Sequence, residues 1–149
     1  MVTFIPATQH DVDFVYKCIT ELENFVFKKE KFIAIFDGIL SNQKAFPFVI
    51  TYNSEKVGYL SIHIQTLLHH CGDVAEIQEL IILPEYRNLK CGKQAIIFAK
   101  EFAKEKKCDL LELSSKLIRK DAHRFYLNNA MNQTHYKFTF PLTDDGIQK

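Results

Sequence analysis

The chain has 149 residues, 47% apolar and 25% charged, with thirteen Phe, six Tyr and no Trp. This ordinary globular balance fits one domain built around one core. Lys and Arg number 19 against 18 Asp and Glu, so neither nucleic acid nor an anionic membrane is expected as the main partner.

Val2 to Ile5 reads as a short strand closed by Pro6. Thr8, with Asp11 three residues on, offers a helix N-cap. Val12, Val15, Tyr16, Ile19 and Leu22 then recur at helical spacing to about Glu23. A second helix is expected over Lys29–Leu40, with Phe32, Ile33, Phe36 and Leu40 on one face. Phe46–Tyr52 and Val57–Gln65 read as a hairpin around the turn Asn53-Ser54-Glu55-Lys56. A loop at His69–Asp73 leads to a strand over Val74–Leu83, ended by Pro84. Gly92–Lys107 reads as an amphipathic helix, and its Lys104–Lys107 end as a solvated, cationic terminus. Cys108–Leu113 is a mostly apolar strand, as expected at a central position. Lys120–Asn129 is a helix and Tyr136–Phe140 a final strand, with room for a short strand near Met131–Thr134. The whole predicts an α/β (α+β) layer fold, with one domain over residues 1–142 and a loose tail over 143–149.

Cysteines stand at 18, 71, 91 and 108 without a CxxC pair, which argues against a zinc knuckle or a thioredoxin-type motif. Cys18 and Cys108 read as small core residues. Met1–Gln9 lacks the pattern of a secretory signal, and no apolar run reaches the ~18 residues of a membrane span. A soluble, reduced, cytoplasmic protein is the expectation.

The densest chemical information runs from Glu76 to Tyr126. A strand ending Leu80-Ile81-Ile82-Leu83-Pro84 meets the loop Arg87-Asn88-Leu89-Lys90-Cys91-Gly92-Lys93 and then a helix. Backbone amides at such a helix start can seat a pyrophosphate. A plain strand-to-helix loop with Gly92 as a flexible start is the simpler alternative. Glu76 and Glu79 offer carboxylates in the strand. Strict alternation sets them on opposite faces unless a bulge intervenes, with Glu76, Gln78, Leu80 and Ile82 sharing one face. Downstream comes Asp121-Ala122-His123-Arg124-Phe125-Tyr126. Tyr126 is either a core residue of its helix or a phenol of pKa ~10, able to protonate a thiolate of pKa ~8.5.

This order, over nearly the whole chain, resembles the GNAT family of acetyl-CoA-dependent N-acetyltransferases. The resemblance implies a mixed, mostly antiparallel twisted sheet of six to seven strands flanked by about four helices. In it, Arg87 fills the first slot of the phosphate-loop pattern and Gly92 the last. Lys90 stands where the family has its middle glycine. Either Lys90 carries a positive φ at modest cost, or the loop turns differently. The implied cofactor set is Leu80, Ile81, Ile82, Arg87, Asn88, Leu89, Lys90, Cys91, Gly92, Lys93 and Arg119. Leu80–Ile82 would pair with the pantetheine arm and hold the thioester carbonyl. Tyr126 matches the tyrosine that protonates the CoA thiolate. Glu76 is favoured as base on the alternation argument, and Glu79 is retained because the family's strand is commonly bulged there.

Further runs resemble the aminoalkylphosphonate N-acetyltransferase subgroup: Pro6-Ala7-Thr8-Gln9, His63-Ile64-Gln65 with His69-His70, Glu76–Leu80, Asp121–Leu127 and Lys137-Phe138-Thr139. They imply a small-molecule amine acceptor, with a divalent metal assisting and a homodimer admitted. His63, His69 and His70 could hold a metal or a phosphonate, or simply line a polar hairpin loop. Gln78 lines the cleft beside Glu76. His123 and Arg124 could grip an anion, or form a solvated helix face. Where the usual Gly-Phe pair would follow the tyrosine helix, the chain has Asn128-Asn129-Ala130-Met131. An acetyltransferase for another amine and a non-catalytic CoA-binding module stand as rivals.

Overall fold

The computed structural model describes residues 1–144, so residues 145–149 of the expected tail lie outside the described residues. The chain divides into two compact units, Met1–Leu113 and a second opening at Ser114. The first contains β1 (Val2–Pro6), α1 (Val12–Glu23), α2 (Lys29–Ser41), β2 (Ala45–Tyr52), β3 (Glu55–Leu67), β4 (Gly72–Ile82), α3 (Cys91–Glu105) and β5 (Leu110–Leu113). The strands form one sheet in sequence order, antiparallel from β1 to β4 and parallel between β4 and β5.

Local chemistry explains the entries and turns. Thr8 and Asp11 form the expected reciprocal capping box: Thr8 N donates to Asp11 Oδ2 at 2.9 Å, and His10 N donates to Thr8 Oγ1 at 3.3 Å. The box caps a 3-10 turn at Gln9–Asp11 that runs into α1. Asn53 and Ser54 take φ of 48° and 71°. Two consecutive positive-φ residues are what a tight two-residue hairpin needs to match strand twist.

The sheet is covered on both faces. Toward α1 and α2 it presents Tyr59, Ile81 and Leu83, packed with Val15, Cys18 and Phe36. On the opposite face, Phe4, Phe46 and Phe48 meet Phe98 and Phe102 of α3 through ring contacts. Leu60 and Ile62 are 0% exposed. Each such side chain contributes about 1.5–3 kcal/mol on burial.

The fold class is as the sequence predicts; the strand count is not. Five strands form among the described residues, against six to seven expected. No strand forms over Tyr136–Phe140 or near Met131–Thr134. Tyr136, Phe138 and Phe140 alternate as a strand would, but they are 82%, 92% and 85% exposed, without a ladder to bury them. β5, expected to be central, is the edge strand, and its Leu110 is 40% exposed. The second unit contains α4 (Lys120–Asn128). No helix among the described residues is long and apolar enough to cross a membrane.

Candidate active site

The decisive geometry lies along β4. Its pairing with β5 runs from Val74↔Leu110 to Ile77↔Leu113 and stops. Its pairing with β3 continues to Gly58↔Ile82. From Gln78 to Ile82, β4 is therefore held on one side only among the described residues. A one-sided strand presents unpaired backbone groups, the feature an extended ligand needs to add itself like another strand.

Gln78 is the pivot. Ile62 faces Ile77 and Ser61 faces Glu79, so Gln78 is an extra residue opposite nothing on β3. Such a bulge bends its strand and resets the alternation. Glu76 pairs with His63 and Glu79 with Ser61, so both carboxylates share one face with Ser61 and His63. Leu80 pairs with Leu60 and Ile82 with Gly58, on the α3 face. The expected common face of Glu76, Leu80 and Ile82 is thus corrected. Alternation by sequence number fails across an inserted residue.

The two carboxylates differ in surroundings. Gln78 Nε2 donates to Glu76 Oε1 at 2.6 Å in an exposed setting. Glu79 is half-buried and accepts a hydrogen bond at Oε1 from Ser61 Oγ. Burial pushes the Glu79 carboxyl above the usual carboxylate range; Ser61 and His63 act against that rise, and Glu23 of α1 adds to it.

Past β4, a 3-10 turn at Pro84–Leu89 leads to Lys90, at φ 61° and ψ 18°. The lysine in the glycine slot does take the left-handed conformation. The first bond of α3 is Gln94 N to Lys90 O at 3.2 Å. The amides of Cys91, Gly92 and Lys93 therefore have no acceptor within the helix and point outward at its positive end. This donor set fits a pyrophosphate. Arg87 is turned the other way: its Nε donates to Ile82 O at 3.0 Å, and Nη2 lies 3.9 Å from Glu21. Asn88 and Leu89 complete the exposed loop.

In the second unit, Arg119 stands at the N-cap of α4 and accepts from His123 N at 3.1 Å. Tyr126 is half-buried, and burial raises its phenol above the ordinary range, with the Arg119 charge opposing. The ring nitrogen Nε2 of His123 donates to Lys116 O at 2.9 Å, and Arg124 is paired with Asp121. The His69 and His70 rings lie 4.5 Å apart on a 3-10 turn at Leu68–His70. Among the described residues, no three His, Cys, Asp or Glu side chains converge in a group able to hold a metal, so the histidine candidates do not fit a metal site. Ser61 and Tyr59 were not singled out from the sequence. A serine between Leu60 and Ile62 in an apolar strand was the available signal.

Comparison with known proteins bears on the family and the fold. The model of the acetyltransferase (GNAT) family matches residues 12–130. The aminoalkylphosphonate N-acetyltransferase of Salmonella typhimurium is 39% identical over 133 residues, covering 89% of this chain and 86% of that protein. Among solved structures, a transcriptional regulator from Bacillus halodurans superposes with a TM-score of 0.85 at 23% identity, covering 94% of this chain and 99% of that one. An aminoglycoside 6'-N-acetyltransferase from Acinetobacter baumannii gives 0.81 at 12% identity, covering 94% and 97%. At those identities the structures speak for the fold. The family match takes in both β4 and α4, and on that ground the chain belongs to the GNAT acetyltransferase family and is an acetyl-CoA-dependent N-acetyltransferase.

Proposed function

We propose that this protein moves the acetyl group of acetyl-CoA to the primary amine of a small aminoalkylphosphonate by direct attack, within one catalytic domain over residues 1–142. The observation that supports the cofactor side is the one-sided β4 edge that ends in the Lys90 turn. A pantetheine arm along Leu80–Ile82 would bring its pyrophosphate to the Cys91, Gly92 and Lys93 amides. Support for the acceptor class is the activity named for the Salmonella relative, together with the agreement over 89% of this chain.

An alkylammonium of pKa ~10 leaves roughly one amine in a thousand neutral at pH 7, so a base is needed. Glu79 takes that proton, directly or through a water. Main-chain amides beside Leu80–Ile82 hold the thioester oxygen as the C–N bond forms and negative charge gathers there. As the C–S bond breaks, Tyr126 gives its hydroxyl proton to the sulfur and recovers one from water. Glu79 releases its proton to water, which balances the exchange. Glu76, hydrogen-bonded by Gln78, lines the same face without acting as the base. His63 on that face supplies a hydrogen-bond donor for a phosphonate.

A thiol-release assay across an amine panel tests the acceptor. Aminomethylphosphonate is expected to give the highest kcat/KM, ahead of a polyamine, an aminoglycoside and a peptide N-terminus. Turnover of one of those with aminomethylphosphonate untouched would discard the acceptor class and leave acetyl transfer standing.

A further inference from the structure

Acetyl transfer as set out above leaves a buried polar chain unused. Tyr59, Ser61 and Glu79 lie on one face of β3 and β4, under α1. Ser61 is 1% exposed and Tyr59 2% exposed. Their neighbours Val15, Cys18, Ile81 and Leu83 are apolar or nearly so. A hydroxyl in such a place costs about 1–3 kcal/mol unless it is hydrogen-bonded. Among the described residues, no buried side-chain nitrogen or oxygen lacks a partner. Ser61 meets that demand by donating to Glu79 Oε1, with Tyr59 two residues away on the same face of β3.

The bulge makes this arrangement. Paired straight on from Ile62↔Ile77 with no bulge, Ser61 would face Gln78 and not Glu79. The hydroxyl adds the one thing a half-buried carboxylate lacks, a fixed donor at a fixed oxygen. The second carboxylate oxygen takes no bond from Ser61.

We propose that Ser61, backed by Tyr59, is a positioning residue for acetyl transfer: it fixes the orientation and charge state in which Glu79 accepts the amine proton. This rests on the assignment of Glu79 as base, and not on the identity of the acceptor. The groups facing Glu79 are Ser61, His63 and Tyr59 from β3, Glu23 from α1, and Glu76 and Gln78 from β4 itself. Burial and Glu23 raise the Glu79 carboxyl, while Ser61 and His63 oppose the rise. Burial and the Glu79 charge raise the Tyr59 phenol, with Ser61 opposing, so it stays neutral beside the pair. Removing the Ser61 hydroxyl removes an influence that favours the carboxylate. Protonated Glu79 then persists to higher pH, and the rising acidic limb of kcat/KM moves the same way.

The test uses the full chain with acetyl-CoA and whichever panel amine the wild type acetylates. Rates are read by thiol release from about pH 5.5 to 9, wide enough to follow the acidic limb of kcat/KM. Ser61→Ala is expected to lower kcat by about 10-fold at pH 7, with KM for acetyl-CoA within about 2-fold, and to move the acidic limb upward. Ser61→Thr and Ser61→Val have nearly the same shape and differ in the hydroxyl. The threonine variant should keep the wild-type limb and the valine variant should shift it, which preserves the comparison if alanine leaves a cavity that unfolds the protein. An acidic limb at the wild-type position in both Ser61→Ala and Ser61→Val overturns the proposal. Glu79→Gln with undiminished turnover overturns the base assignment beneath it. An inactive Glu79→Gln beside an unmoved Ser61→Val limb removes Ser61 alone.

Discussion

Arg87 turns back from the loop after β4 and donates from Nε to the carbonyl oxygen of Ile82 at 3.0 Å. The guanidinium thereby holds the last residue of the open edge to the turn that feeds α3. The sequence reading gave Arg87 a slot in the phosphate pattern; its observed bond makes it a brace for that pattern. Arg87→Ala should cost about 1 kcal/mol, the net worth of such a bond, and lower Tm by about 3 °C. KM for acetyl-CoA should rise on the order of 3- to 10-fold, with kcat nearly unchanged. A large kcat loss at constant KM would assign Arg87 to the chemical step and contradict the brace.

Lys90 sits at φ 61°, where an L-residue with a β-carbon costs roughly 1–2 kcal/mol relative to right-handed backbone. Lys90→Gly should therefore stabilise the protein by about 1 kcal/mol, and Lys90→Val should destabilise it by at least that much. Thermal melts of the two variants decide the matter. If the ammonium also helps hold phosphates, Lys90→Gly will raise KM for acetyl-CoA at low salt and converge with wild type at high salt.

Gly58 lies opposite Ile82, and a β-carbon built on it would stand nearer than 3.0 Å to the Ile81 carbonyl oxygen. That oxygen is main chain in a paired ladder and cannot swing aside. Gly58→Ala should push β4 off β3, at a cost of about 1–3 kcal/mol. The displaced residues are those assigned to the pantetheine arm, so the thermal shift given by saturating acetyl-CoA should shrink as well. A variant with wild-type Tm and wild-type ligand shift would show that the strands tolerate a closer approach.

Tyr126 is raised by burial, with Arg119 pulling the other way. A raised phenol keeps its proton to higher pH, so its loss as an acid should begin above the ordinary tyrosine value of ~10. kcat should hold across the neutral and mildly alkaline range on the Tyr126 account. Tyr126→Phe should lower kcat by ~10²-fold or more at pH 7 while acetyl-CoA binding stays intact. Full turnover in that variant ends the acid assignment.

The parts of the fold that local chemistry dictates were legible in the chain. The apolar stripe of α2 was read as Lys29–Leu40 and runs Lys29–Ser41. Thr8 and Asp11 announced their cap, and the phosphate-loop pattern allowed for a positive φ at Lys90. Two features were not legible, for physical reasons. The bulge at Gln78 depends on cross-strand register with β3, which no single-strand pattern encodes. The alternating aromatics of Tyr136–Phe140 satisfy strand periodicity, but periodicity names a face to be buried and does not supply its partner. The same limit applies to Ser61, whose meaning is set by the residue across the ladder.

The surplus residue in β4 has a consequence for chain length. Removing Gln78 alone would leave Ile77 and Glu79 adjacent, each still opposite its β3 partner. Both arms of the strand would remain in phase, so this single-codon deletion should fold, while deleting Ile77 or Glu79 instead would set Gln78 in the vacated place, opposite Ile62 or Ser61. The shortened strand would also lose the bend that a bulge gives just where its pairing with β5 stops, at Ile77. Such a protein would keep Glu76 and Glu79 on one face while altering the edge proposed for the thioester, which separates the proposed base from the proposed docking of CoA by the loss of one amide unit.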